Sequence, residues 1–78
     1  MDELASVVLT EDLPDYDLVA GDVGTIVLVH NGGRGYEVEF VALNGQTLAV
    51  VSLHADQVRP IGAREIAHAR SVAATPHA

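Results

Sequence analysis

A chain of 78 residues with a formal net charge of -7, eleven acidic residues against four arginines and no lysine, has room for one domain with one thin core. Its hydrophobic residues make up 49% but include one Phe, two Tyr and no Trp, so Val, Leu, Ile and Ala must build that core, a composition that suits strands. The absence of cysteine excludes disulfide staples, thiolate zinc sites and thiol nucleophiles, and no apolar run approaches the roughly 18 residues of a membrane span.

Met1-Asp2-Glu3 is acidic where a secretory signal would be basic, which makes a cytoplasmic protein the expectation. Leu4 to Leu9 is short and apolar and ends in Val-Val-Leu, predicting a first strand over 4–9. Thr10 to Ala20 mixes Pro and Asp with isolated apolar residues and reads as a long ordered loop pinned by Leu13, Tyr16 and Leu18. Gly21-Asp22 turns the chain into a second strand over 23–30, with Val23, Thr25, Val27 and Val29 on one face and Ile26 and Leu28 on the other. Asn31-Gly32-Gly33-Arg34-Gly35 supplies the glycines of a hairpin turn. No Lys-Ser/Thr and no helix follows it, so a phosphate cradle lacks its context.

The third strand, 36–41, alternates Tyr36, Val38 and Phe40 inward with Glu37 and Glu39 outward. Asn44-Gly45 marks the next hairpin, leading to a fourth strand over 47–53. His54 to Gln57 predicts a single helical turn, and 58–61 a short closing strand whose Pro60 belongs at an edge or end. The fold expected is all-β, a small five-stranded SH3-like barrel over residues 1–61. Residues 62–78 form a second segment, with a short helix over Ala63–Val72 and a disordered tail from Ala73.

No residue pattern supplies a catalytic group. His30, His54, His68 and His77, at a strand end, a turn, a helix and a tail, lack ligand spacing, although His30 and His54 could approach each other at one barrel end. Asp12, Asp15 and Asp17 crowd one loop, but Pro14 and Leu18 break the alternating ligand order of a calcium loop. Ser6, Ser52 and Ser71 have no nucleophile-elbow setting. The chain is therefore expected to be no enzyme and to carry no cofactor or metal.

Charge placement is more telling. Seven of the eleven acidic residues precede the first basic one, Arg34, so the N-terminal third repels phosphate backbones and attracts basic surfaces. The expected partner-binding face combines Asp12, Asp15, Tyr16 and Asp17 with Glu37 and Glu39. Tyr16 is either its anchor or a plug under its own loop, and the carboxylates steer encounter.

Four motifs in order, Glu11-Asp12-Leu13-Pro14, Gly21-Asp22-Val23-Gly24-Thr25-Ile26-Val27, Tyr36-Glu37-Val38-Glu39-Phe40 and Gln57-Val58-Arg59-Pro60, resemble the small bacterial proteins of domain-of-unknown-function family 4926 over Leu4 to Ile61. The Gly21 to Val27 element is more distantly similar to KOW and other SH3-like barrels, whose nucleic-acid binders are usually basic, unlike this chain. Small acidic bacterial proteins of this kind are often encoded beside a toxin or effector. By that analogy the expected function is protein binding, as an antitoxin, immunity or accessory factor against a basic partner encoded nearby. The competing expectations are a KOW-like RNA- or DNA-associated barrel and an accessory subunit of a metalloenzyme.

Overall fold

Alternating apolar residues set the strands. The computed structural model describes residues 1–73, with β1 (Ser6–Leu9), β2 (Val23–His30), β3 (Gly35–Val41), β4 (Thr47–His54) and β5 (Val58–Pro60). They form one antiparallel sheet in the order β4-β3-β2-β1-β5. Short 3-10 turns occupy Pro14–Tyr16 and Ala55–Gln57, the second where a single helical turn is expected from the sequence. Among the described residues there is no α-helix.

Tyr36, Val38 and Phe40 of β3 face the core as their alternation with glutamate requires. Val7 and Leu9 of β1, Ile26 of β2, Val51 and Leu53 of β4, Val58 of β5 and Leu18 of the first loop join them, each no more than 5% exposed. Because all five strands contribute to one cluster, the sheet curls around it. β4 and β5 nevertheless remain edges with no ladder between them, so the sheet is not closed.

Two glycines make this curl possible. Gly21 takes a φ of +96°, open to glycine at no steric cost, and donates its N–H to the Leu9 carbonyl at 2.9 Å. Gly24 is needed for space: a Cβ there would lie 2.6 Å from Val38 Cγ1 and 2.9 Å from Phe40 Cε1. The glycine thus lets the side chains of β3 pack directly on the backbone of β2.

Two expectations need correction. The register of β2 on β3 shifts between Ile26 and Leu28, so strict alternation ends at a bulge. Val29 consequently packs against the core with Ile26 while Leu28, paired with Glu37, is exposed, so Leu28 does not share the face of Ile26 as expected. The helix expected over Ala63–Val72 is not formed either; these residues are coil with one turn. On a helix Glu65 and Arg70 would point about 140° apart, whereas an irregular path lets Glu65 reach Arg59 and Arg70 reach Asp22. The tail expected from Ala73 lies, from residue 74 onward, outside the described residues.

Phe40→Ala is expected to cost about 3–5 kcal/mol by emptying a core position, and Gly24→Ala about 1–3 kcal/mol by overpacking, both read from urea unfolding midpoints. Among the described residues none beyond Val58 belongs to the core cluster. A chain ending at Gly62 should therefore retain a cooperative unfolding transition, and a non-cooperative melt of that chain would show the C-terminal segment to be integral.

Candidate functional site

The loop between β1 and β2 is built as a rigid platform. Leu13 and Leu18 form an isolated antiparallel bridge, with Leu13 N–H to Leu18 O at 2.8 Å and Leu18 N–H to Leu13 O at 3.2 Å. Pro14 starts the 3-10 turn with its fixed φ, and Asp17 ends it in the left-handed region at φ 56°. Asp12 Oδ1 accepts the Ala20 N–H and Asp22 Oδ2 the Val19 N–H, both at 2.9 Å, tying the loop's far end to its own carboxylates. With Leu18 buried and Leu13 half-buried beneath, Asp12, Asp15 and Asp17 are exposed. Tyr16 is 47% exposed, so it stands on the surface instead of plugging the core.

β5 brings a second acidic segment to this platform. Thr10 N–H donates to Gln57 O at 2.9 Å, Thr10 Oγ1 to Asp56 O at 3.0 Å, and Gln57 Nε2 to Glu11 Oε2 at 3.2 Å. Asp56 therefore joins Glu11 at the lip of the acidic loop. The sequence reading omitted both from the site, although β1 pairing with β5 (Leu9 with Val58) is the register that places them side by side.

Glu37 and Glu39 lie apart from each other's roles and partly apart from the loop. Both are half-buried on the outer face of β3. Glu39, opposite Thr25, accepts a hydrogen bond from Thr47 Oγ1 at 2.6 Å. Glu37, opposite Leu28, is about 16 Å along β2 from its loop end at Val23. Its carboxylate accepts from Ser52 Oγ and lies 2.7 Å from His30 Nε2; these two hydrogen bonds, the serine's foremost, hold it below the ordinary carboxylate range. Ser52 and His30 thus converge on one oxygen and do not form a serine–histidine relay. His30 and His54 flank Gly35 across the sheet, but among the described residues no group of three or more histidine or acidic side chains is placed to hold a metal.

A strap, residues 61–73, crosses the outer face over the start of β2. Arg59 and Glu65 form a bidentate pair at 2.8 and 2.7 Å. Arg70 Nε donates to Asp22 Oδ1 at 3.0 Å, its Nη2 to Asp22 Oδ2 and to the Asp17 carbonyl, and the Ala73 N–H to Asp17 Oδ2 at 2.8 Å. Burial would raise the Asp22 carboxyl, but the hydrogen bonds from Arg70 and the Val19 amide, with the arginine's charge, outweigh it and leave it lowered. The Arg59 guanidinium, then the Gly62 amide, lower Glu65 to about 2.

Beneath the strap lies a largely apolar groove of about 470 Å³, with Val8, Val23, Val41 and Ile61 among its walls. Val8 is buried yet outside the core cluster, because it alternates with Val7 and Leu9 and faces this groove.

The Glu65 clamp should be pH-dependent. Its folded pKa is depressed from 4.5, so the stabilisation is complete above that value and is lost as pH falls toward about 2. Carbon-detected titration of the Glu65 carboxyl should follow this course in the wild type and return toward 4.5 in Arg59→Ala.

No curated protein and no solved structure matches the chain. A family profile described as "Domain of unknown function (DUF4926)" matches residues 3–60, the five strands and the acidic loop together. With that match covering most of its length, the chain belongs to the DUF4926 family.

Proposed function

We propose that this protein is a non-enzymatic, cytoplasmic SH3-like barrel of bacterial type that binds a basic partner protein, as an antitoxin, immunity or accessory factor. Supporting the barrel reading, β1 stands between β2 and β5, a 3-10 turn links β4 to β5, and one core draws on all five strands. Supporting the absence of membrane insertion, no helix among the described residues is long and apolar enough to cross a bilayer.

The observation that carries the binding reading is the rigid acidic lip. Asp12, Asp15 and Asp17 surround the exposed Tyr16, with Glu11 and Asp56 alongside and Glu39 further along the sheet. Arg59 and Arg70 are each paired with a carboxylate of their own chain, which leaves the lip's field strongly negative. Such a platform offers an aromatic anchor within a steering field, the arrangement suited to a positively charged protein surface and adverse to phosphate backbones.

Asp15 and Asp56 are the residues to reverse, because the structure gives their carboxylates no hydrogen-bonding duty among the described residues. The double substitution Asp15→Lys, Asp56→Lys should slow association with the copurifying partner roughly tenfold at low salt and flatten its salt dependence, with the melting temperature nearly unchanged. Unaltered association rates would reduce the acidic surface to a solubility feature. Tight, salt-sensitive RNA binding by the wild type would replace the partner class.

A further inference from the structure

The strap is attached differently from every other element. Its described polar contacts to the body are the two arginine–carboxylate clamps, the Arg70 bond to the Asp17 carbonyl and one amide bond to Asp17; Val72 alone among residues 61–73 is half-buried, and no backbone ladder joins the segment to a strand. Residues 61–71 are exposed throughout, and Ile66 is 93% exposed. A segment that belonged to the fold would bury its isoleucine. This one holds it out over an apolar groove and grips the body through one exposed ion pair, Arg59–Glu65, and one half-buried pair, Arg70–Asp22.

Charge complementarity points the same way. Ten acidic and two basic residues precede Gly62, whereas one acidic and two basic residues lie in 62–78. The strap is thus a cationic segment laid across an anionic body. Arg70 is read by a bidentate carboxylate and a backbone carbonyl, and the amide three residues later is read by Asp17. Side-chain and main-chain recognition of this kind is how an extended peptide is bound, and the strap displays it in cis. The strap also lies beyond the residues that match the family.

The geometry points to the strap as a displaceable pseudo-ligand: the groove over Val8 and Val23 and the adjoining one that shares Val23 and holds Asp22, with Asp17 bonded to the strap beside it, receive an extended arginine-bearing segment of a partner protein, and residues 62–73 occupy that place until displaced. This rests on the partner-binding reading above and specifies it, naming the recognised group as an arginine on an irregular chain and the control as competition from the chain's own Arg70.

The test uses the full chain and a fluorescent peptide with the sequence of residues 62–73, followed by anisotropy. Tethering keeps Arg70 at an effective concentration in the millimolar range, so the peptide should bind Arg70→Ala roughly tenfold more tightly than the wild type. Adding Asp22→Asn to Arg70→Ala should abolish that binding, as should replacing the peptide's second arginine by alanine. Circular dichroism melts of each variant confirm folding. Equal affinity for wild type and Arg70→Ala, or binding indifferent to Asp22, would overturn the proposal. Because no cellular partner enters this assay, its outcome is separable from the association-rate test: peptide capture with unaltered partner kinetics upholds the groove and removes the lip, and the converse removes the strap's role alone.

Discussion

The arrangement hangs on β1, four residues that pair on both sides. Ser6 to Val8 lie against Val23 to Thr25, and Val7 to Leu9 against Val58 to Pro60. Without this strand the β2-β3-β4 meander would have no ladder to β5, which follows β4 through the Ala55–Gln57 turn. Leu9 carries the junction: its side chain is buried, its N–H donates to Asp22 O, and its carbonyl accepts from Gly21. One residue thereby fixes the core, the entry into β2 and the far end of the acidic loop.

Everything of functional interest leaves from the ends of this junction. The acidic loop departs from the C-terminal end of β1, and the Ala55–Gln57 turn arrives beside it because antiparallel pairing brings the start of β5 there. The strap leaves from the opposite end of β5 and must return across the outer face to meet Asp22. The alternation within β1 serves two layers at once, Val7 and Leu9 facing the core and Val8 the groove. An unbroken apolar run, Val7-Val8-Leu9, therefore suits this strand, although the sheet has a single core cluster.

Fold and site were legible to different depths for identifiable reasons. Strand positions could be read because Tyr36-Glu37-Val38-Glu39-Phe40 alternates cleanly and Asn44-Gly45 and the Gly32-Gly33 turn punctuate the chain. The facing of Leu28 and Val29 could not, since a bulge is a property of the pairing and both residues are equally apolar. The loop's pins Leu13 and Leu18 were legible as isolated apolar residues among acids. Asp56 was not, because its place beside Glu11 comes from a contact between residues far apart in the sequence. The helix expected over Ala63–Val72 from its helix-forming residues is not formed. A segment this short gains little from helix formation, and the carboxylates it meets, Asp17 and Asp22, belong to a different part of the chain.

That irregular path explains how an acidic chain without lysine can use its few cations. Had Arg59 and Arg70 been spread over the surface, they would merely have reduced the net charge. Pairing them with Glu65 and Asp22 concentrates neutralisation along one line of the outer face and leaves Glu11, Asp12, Asp15 and Asp56 without an arginine among the described residues. The two regions are consequently unlike in chemistry, a negative lip that acts over a Debye length and a covered groove that acts at contact distance. Asp17 is common to both regions, through its exposed loop position and its bond to Ala73, so under the proposed function attraction at the lip and exchange at the groove would be successive steps on one surface.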